Sequence, residues 1–496
     1  MTQHVQDEHT DFYEVLELDE SASQEEIRRA YRRLVRKHHP DVNPLAQTSV
    51  LFRQVQEAYE TLRDPEKREA YDRELKERQK SLPISMKVVP SHTVFPAWQE
   101  PQMLYLVAEV RAIGKAIPPD RRLNLCLLLD RSTSMEGVRI QHAIASATSI
   151  LEQLSPRDTV SAVVFSDRTE VIVPAQSGGT NPAISSRLRG IETGGGTEVA
   201  QGLAQALRTL AEAWRPGAIS HLLLLTDGHT YGDEDRCLRL AEEAGRQQIA
   251  ISAFGIGTEW NEEFLDRIAL ASGGLSFYVD APERIGELFT GHVRHLSSLV
   301  CPDLKVACWL EPDMTLASAF LVSPQVYRLS WVDDGFMRLG GLGGHVPSTA
   351  LLEVVVGPRS AGSHRVGTLQ AKGMVSPGEA EDNEGVRTFA LRHPIRIEIQ
   401  DPPFEHPPAP PEVVRAARQA NLVKLEEHAR KDLERGWHED ASKRLHALAT
   451  QMLELGEQEM ARTITLEADR VSRVGKMSPE GQKRVHYGTR ALLPPA

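Results

Sequence analysis

The chain is poor in cysteine, has no long uninterrupted apolar run, and carries no excess of positive charge. Only four cysteines occur in 496 residues (Cys126, Cys237, Cys301 and Cys308), and none forms a CxxC pair. That excludes a disulfide framework and reads as reduced thiols of an intracellular protein. Cys301 and Cys308 have no neighbouring ligand residues and read as core cysteines. No apolar stretch is long enough to cross a bilayer, and the start, MTQHVQDEHTDFYEV, is too polar and acidic for a secretory signal. The formal net charge of −12 argues against a nucleic-acid binder. The expectation is a cytoplasmic protein with neither a membrane nor a nucleic-acid partner. There is also no GxSxG elbow and no Walker-type phosphate loop, so the commonest hydrolase and NTPase signatures are missing. What is present is a globular composition, 41% apolar and 25% charged, on a chain long enough for about three domains.

The first 80 residues are patterned as a helical hairpin. In SASQEEIRRAYRRLVRKHH, Ser23 and Glu26 form a capping box, and Ile27, Tyr31, Leu34 and His38 recur on one helix face. Arg28, Arg29, Arg32, Arg33, Arg36 and Lys37 make the opposite face basic. The helix stops at His39-Pro40-Asp41, because the residue before a proline is pushed out of helical geometry. A second amphipathic helix through Phe52, Val55, Tyr59 and Leu62 ends before Asp64-Pro65. A solvated face or a phosphate-binding surface are the plain readings of six cations on one helix face. The whole stretch, from DFYEVLELDESASQEEIRRAYRRLVRKHHPDVNP to FRQVQEAYETLRDPEKREAYD, resembles a J domain of the DnaJ family. The resemblance implies recruitment of a DnaK-type heat-shock chaperone and stimulation of its ATPase, with His39, Pro40 and Asp41 essential and the basic helix docking on an acidic surface. No Gly/Phe-rich segment and no CxxCxGxG repeat follows, so any client specificity must lie downstream.

Residues 121–297 alternate strand-like and helix-like stretches. LNLCLLL, TVSAVVF, HLLLLT and IAISAFGIG read as buried strands, and the helices between them argue a doubly wound parallel sheet. Ligands of such sheets bind beyond the strands' carboxyl ends. Asp130 and Asp227 end two strands, Ser132 and Ser134 follow the first, and Thr197 follows the run Gly194-Gly195-Gly196. Carboxylates and hydroxyls without His or Cys suit a hard cation, whereas the serines alone could simply cap the next helix. His229 is the one candidate for a general base, and a lone loop histidine is usually a bystander. The DRSTS, GGGT and TDG elements resemble, in order and spacing, a von Willebrand factor A (VWA) domain with a metal-ion-dependent adhesion site. The resemblance implies that Ser132, Ser134 and Thr197 contact Mg²⁺ or another divalent cation. Asp130 and Asp227 would hold it directly or through water, and an acidic side chain of a protein partner would complete the shell.

The expected organisation is multidomain: an all-α J domain (1–80), a linker with one strand of the β-module (81–120), and a Rossmann-like α/β VWA domain (121–297). A β-sandwich module (298–400) follows, carried by DLKVACWL, VYRLSWV, ALLEVVV and RTFALR, and the strand QMLYLVAEVRA near residue 105 is assigned to it. A proline-rich linker (401–412) leads to a helical segment (413–472) and a loosely ordered tail (473–496). Acidic residues Asp233, Glu234 and Asp235 mark a helix start. The function read from these parts is a non-enzymatic co-chaperone adaptor that brings a VWA-bound protein to a DnaK-type chaperone. The alternative is a scaffold or regulatory subunit of a larger, chelatase-like ATPase complex.

Overall fold

The computed structural model describes residues 12–16, 18, 22–37, 46–81, 83–113, 122–179, 182–215, 217–228, 232–332, 335–344, 346–375, 387–401 and 407–491. The chain divides into two compact units, Met1–Pro83 and Ile84–Ala496.

The first unit is helical, with α1 (Phe12–Val15), α2 (Gln24–Lys37), α3 (Ala46–Leu62) and α4 (Pro65–Ser81). Its capping box forms: the Glu26 carboxylate accepts from the Ser23 N–H at 2.7 Å, and Ser23 Oγ accepts from the Glu26 N–H at 3.3 Å. Gln24, at the start of α2, donates to the carbonyl of Leu62, at the end of α3, at 3.0 Å, so the two helices run antiparallel. Ile27, Ala30 and Leu34 meet Val55, Ala58 and Leu62 in the core. Tyr31 stacks on Tyr59 with ring centroids 3.9 Å apart. At the far end the Tyr13 hydroxyl donates to Asp72 at 2.7 Å, and the Tyr71 hydroxyl accepts from the Phe12 N–H at 2.9 Å. This closes the unit on the Ala70-Tyr71-Asp72 stretch. His38 lies outside the described residues.

The second unit begins with β1 (Ile84–Pro90), β2 (Val94–Pro96) and β3 (Gln102–Ala112), so little of residues 81–120 is linker. Next come β4 (Leu123–Asp130), α5 (Val138–Gln153), β5 (Thr159–Phe165), β6 (Thr169–Ser177), α6 (Pro182–Arg189) and α7 (Val199–Glu212). Then follow β7 (Ile219–Thr226), α8 (Glu234–Arg246), β8 (Ile249–Ile256), α9 (Glu262–Ser272), β9 (Ser276–Val279) and α10 (Ile285–Ser297). These strands form one sheet in the order β6-β5-β4-β7-β8-β9, parallel except for β6, which pairs antiparallel with β5 at the edge. Both faces are covered. Leu123, Leu125, Leu127 and Leu129 enter the core on one side of β4, while Cys126 and Leu128 enter the core on the other. A strand buried on both sides has no polar alternation, which is why its sequence is a continuous apolar run.

The β-rich region adds β10 (Leu299–Leu310), β11 (Met314–Ser323), β12 (Tyr327–Arg328), β13 (Met337–Gly343), β14 (Ser348–Val356), β15 (Gly362–Val375) and β16 (Arg387–Gln400). They make two five-stranded sheets, β1-β3-β14-β11-β12 and β13-β10-β15-β16-β2. The strand Gln102–Ala112 pairs with β14 and so belongs to this region. VYRLSWV supplies only the two-residue β12; its apolar residues fill a loop, and the long neighbouring strand is β11. All four cysteines are buried thiols.

Four helices close the chain: α11 (Pro411–Glu434), α12 (His438–Glu454), α13 (Gln458–Val474) and α14 (Pro479–Arg490). Pro411 takes the first helical position, where a missing N–H costs nothing. Gly436 and Gly456, both at positive φ, separate the first three. The fourth helix corrects the expectation of a loose tail. Its buried face is built from Lys483, Val485, His486 and Thr489, which carry almost no apolar periodicity.

Candidate functional site

Five oxygen-bearing side chains gather beyond the carboxyl ends of β4 and β7. Asp130 is the last residue of β4 and is fully buried; Asp227 follows β7 and is fully buried too. The Asp130 carboxylate accepts from the Ser132 N–H at 2.8 Å and from the Thr226 hydroxyl at 2.6 Å. Ser134 Oγ donates to Asp227 Oδ1 at 2.7 Å and lies 3.0 Å from Ser132 Oγ. Neither serine spends its side chain on the helix that follows. Ser132 stands before a short 3₁₀ turn without making a cap bond, and the residue preceding α5 is Gly137. The capping alternative therefore does not account for them.

The third loop is tied to the first by its backbone. The Gly194 N–H donates to the Arg131 carbonyl at 2.8 Å, and the Thr133 N–H and hydroxyl both reach the Gly195 carbonyl at 3.2 Å. Gly195 has φ +86°, a conformation glycine adopts without strain, and a Cβ there would press on the Asp167 carboxylate. This loop delivers Thr197, largely buried, against the loop that follows β7: a Cβ on Gly228 would stand 3.1 Å from its Oγ1. Asp233 precedes α8, as the acidic triplet suggests, yet its carboxylate accepts from the Ala200 N–H at 2.8 Å and so caps α7 instead.

The Asp130 carboxyl is raised to about 6: burial drives it up, the nearby Asp227 charge adds to the rise, and its bonds from Ser132 and Thr226 hold it back. Two buried carboxylates thus sit close together with one cation beside them, Arg139, whose guanidinium pairs with Asp227 Oδ2. Among the described residues no group of three or more His, Cys, Asp or Glu side chains gathers as a metal cluster. The centre's other donors are hydroxyls. Two carboxylates and three hydroxyls, with no nitrogen or sulfur donor among the five, fit a hard divalent cation, which would also offset the buried negative charge. Two participants carried no sequence signal of their own. Thr226 is the residue before an acid in an apolar run, and Arg139 lies five residues beyond Ser134.

In the first unit, Arg28, Arg29, Arg32, Arg33 and Arg36 are all exposed on α2. His39, Pro40 and Asp41, the Lys37 side chain, and His229 lie outside the described residues. Among the described residues no helix is long and apolar enough to cross a membrane.

A helical hairpin closed by Tyr71 and Asp72, in one chain with an A-domain sheet bearing this oxygen-lined centre, defines the class: a J domain joined to a VWA domain. Residues 11–72 match the DnaJ domain and residues 124–291 the von Willebrand factor type A domain. Residues 411–495 match the Sll0103-like, C-terminal alpha-helical domain. Over 300 residues, 59% of its length, the chain is 28% identical to an uncharacterized protein of Synechocystis, sll0103, and covers 70% of that protein. Over 63 residues, 13% of its length, it is 54% identical to the chaperone protein DnaJ of a Roseiflexus species, spanning 17% of that protein. In fold it resembles a von Willebrand factor type A protein from Catenulispora acidiphila, with a TM-score of 0.66 and 17% identity over 84% of this chain and 98% of that one. A VWA2 protein of Sulfolobus acidocaldarius, an ArnB paralog, gives a TM-score of 0.50 and 14% identity over 83% of this chain and 100% of its own.

Proposed function

We propose that the chain is a co-chaperone adaptor. Its J domain recruits a DnaK-type chaperone and stimulates ATP hydrolysis through His39, Pro40 and Asp41, with Arg28, Arg29, Arg32, Arg33, Arg36 and Lys37 orienting the encounter. Its VWA domain holds Mg²⁺ or a similar divalent cation on Asp130, Ser132, Ser134, Thr197 and Asp227. The ion supplies concentrated positive charge at the protein surface, and an acidic side chain of a partner protein completes its coordination. What these residues do is orient: Thr226 and the Ser132 N–H fix the Asp130 carboxylate, and Asp227 accepts the Ser134 proton so that the hydroxyl oxygen's lone pairs are free for the ion.

One observation carries the reading. The serines that would cap a helix in an ordinary strand-turn-helix are turned onto each other and onto Asp227, in a chain that also carries a J domain. Exposed arginines on one face of α2 suit an acidic chaperone surface, where they would mainly speed association. The test is capture of partner proteins by the full chain in Mg²⁺, with elution by EDTA, beside Asp130→Ala. A partner set released by EDTA and missing from the variant is expected. The same proteins retained by Asp130→Ala and indifferent to EDTA would contradict the metal-dependent grip.

A further inference from the structure

The proposed site already contains a cation, the guanidinium of Arg139. Its Nη1 donates to Asp227 Oδ2 and, at 3.2 Å, to the carbonyl of Ser134. Its other amino group lies over the end of β8, where a Cβ on Gly257 would stand 3.4 Å from Nη2. Gly257 is at φ +71°, so the backbone there is one that glycine adopts freely and that leaves this space open. The remaining oxygen of Asp227, Oδ1, takes the Ser134 hydroxyl, so the carboxylate has a partner on each side. The two members of the ion pair differ in access: the Arg139 side chain is 34% exposed, and that of Asp227 is 0% exposed. Arginine can leave toward solvent; the aspartate cannot. Arg131, in the loop after β4, pairs with Glu170 at 3.6 Å and is no competitor.

We infer that Arg139 is a built-in counter-ion that competes with the divalent cation for Asp227 and so sets the ion concentration at which the site fills. This rests on the reading of Asp130, Ser132, Ser134, Thr197 and Asp227 as a metal site. The physical basis is simple. A buried carboxylate requires a positive partner, and a guanidinium and a divalent ion placed within a few ångströms of each other repel strongly in a partly desolvated pocket. Filling the site then requires the guanidinium to give up Asp227 and move toward solvent, and that cost weakens ion binding relative to the same donors without it. The charge matters, not the fork: a lysine at 139 would compete as well.

The experiment is calorimetric titration of the full chain with Mn²⁺ and with Mg²⁺, comparing wild type, Arg139→Gln, Arg139→Lys and Asp130→Ala, with thermal melting in EDTA alongside. Arg139→Gln is expected to bind the ion roughly tenfold tighter than wild type and Arg139→Lys to stay within about threefold of it, while the glutamine variant melts lower in EDTA because Asp227 has lost its partner. A merely structural arginine would lower the melting point of Arg139→Gln and leave ion affinity unchanged or weaker, and that result overturns the inference. Binding lost in Asp130→Ala but equal in wild type and Arg139→Gln sinks this inference and leaves the metal site standing. No ion binding by any form sinks both. If Arg139→Gln does not fold without metal, the wild type decides: its Arg139 guanidinium protons, seen by nitrogen-edited NMR, should lose their protection when Mg²⁺ saturates the site. Unchanged guanidinium signals at saturation would overturn the proposal.

Discussion

At the scale of single residues, this protein places charge where water cannot reach and pairs it locally. His486 shows the principle best. Its Nε2 stands 2.7 Å from Asp266 Oδ2 and its Nδ1 3.3 Å from Glu426 Oε1, with Arg490 donating to Glu426 at 3.1 Å and the Tyr487 hydroxyl to Asp266 at 3.1 Å. Burial pushes the Asp266 carboxyl up, but the charges of His486 and Arg490 outweigh it and hold it down at about 2. Glu426 is likewise held well below the usual carboxylate range against its burial. For His486 itself, burial and Arg490 favour the neutral ring, and the two carboxylates overcome them and raise its pKa. The signs follow by linkage. The acids contribute stability above their unfolded values near 4 and lose it as pH falls toward 2, whereas the histidine contributes fully below its unfolded value of about 6.5 and loses its contribution as pH rises through the raised folded value. Replacing His486 by Gln should therefore destabilise the protein most between about pH 4.5 and 6.5, with the penalty shrinking at higher pH. Denaturant titrations of both forms across that range check it. A penalty that grows with rising pH would show that the ring is held neutral.

At the scale of elements, α14 is fastened to α9 by ions instead of by an apolar stripe. Lys483 Nζ donates to Glu262 Oε2 at 2.8 Å and to the Trp260 carbonyl at 2.6 Å, and lies 4.1 Å from the centre of the Trp260 ring. Both charged side chains are almost fully buried. Lys483→Ala should cost about 3–5 kcal/mol by stranding the Glu262 carboxylate, and the double change Lys483→Met, Glu262→Leu should recover at least about half of that loss, because a buried pair replaced by apolar residues is often neutral. Denaturation midpoints of the two forms decide it; a double variant no more stable than the single one would show that the pair adds more than it costs to bury. The same helix marks the limit of what its sequence discloses. Hydrophobic periodicity reveals β4, β5, β7 and β8, because a strand covered on both faces must be apolar throughout. It reveals α2 and α3 through Ile27, Leu34, Val55 and Leu62. It passes over α14, whose inward residues are Lys483, His486 and Thr489, and over the edge strand β6, where TEVIVPAQS mixes exposed and half-buried positions around Pro174. The centre followed the same rule. Its acids and hydroxyls are legible because hydroxyls after a strand-ending acid break an apolar pattern. Arg139 and Thr226 break none, and only the fold brings them to Asp227 and Asp130.

At the scale of the whole molecule, the chain falls into a small helical unit and a large one in which the VWA sheet, the β-rich sheets and the C-terminal helices share one compact body. Likeness in fold to the Catenulispora protein extends over 84% of the chain, far more than the residues matched to the VWA domain alone, so that larger body is an architecture in its own right. The helices Pro411–Arg490 brace the large unit: Val413, Ala416, Ala420 and Val423 of α11 pack on Val107, Phe320, Val322 and Leu351 of one β-sheet, and α14 reaches α9. A compact body holding the VWA centre, in one chain with a J domain, suits the proposed adaptor, which needs one part to grip and one to recruit. On the proposed function, joining the two in one chain would raise the local concentration of chaperone around whatever the centre holds, without requiring any new contact. The central claim is that the first unit works on a chaperone. It is tested most directly by the single-turnover ATPase rate of a DnaK-type chaperone with saturating full-length protein, wild type against His39→Gln. The account predicts stimulation by the wild type and its loss in a variant that melts like the wild type; equal rates with the two proteins, or no stimulation by either, would contradict it.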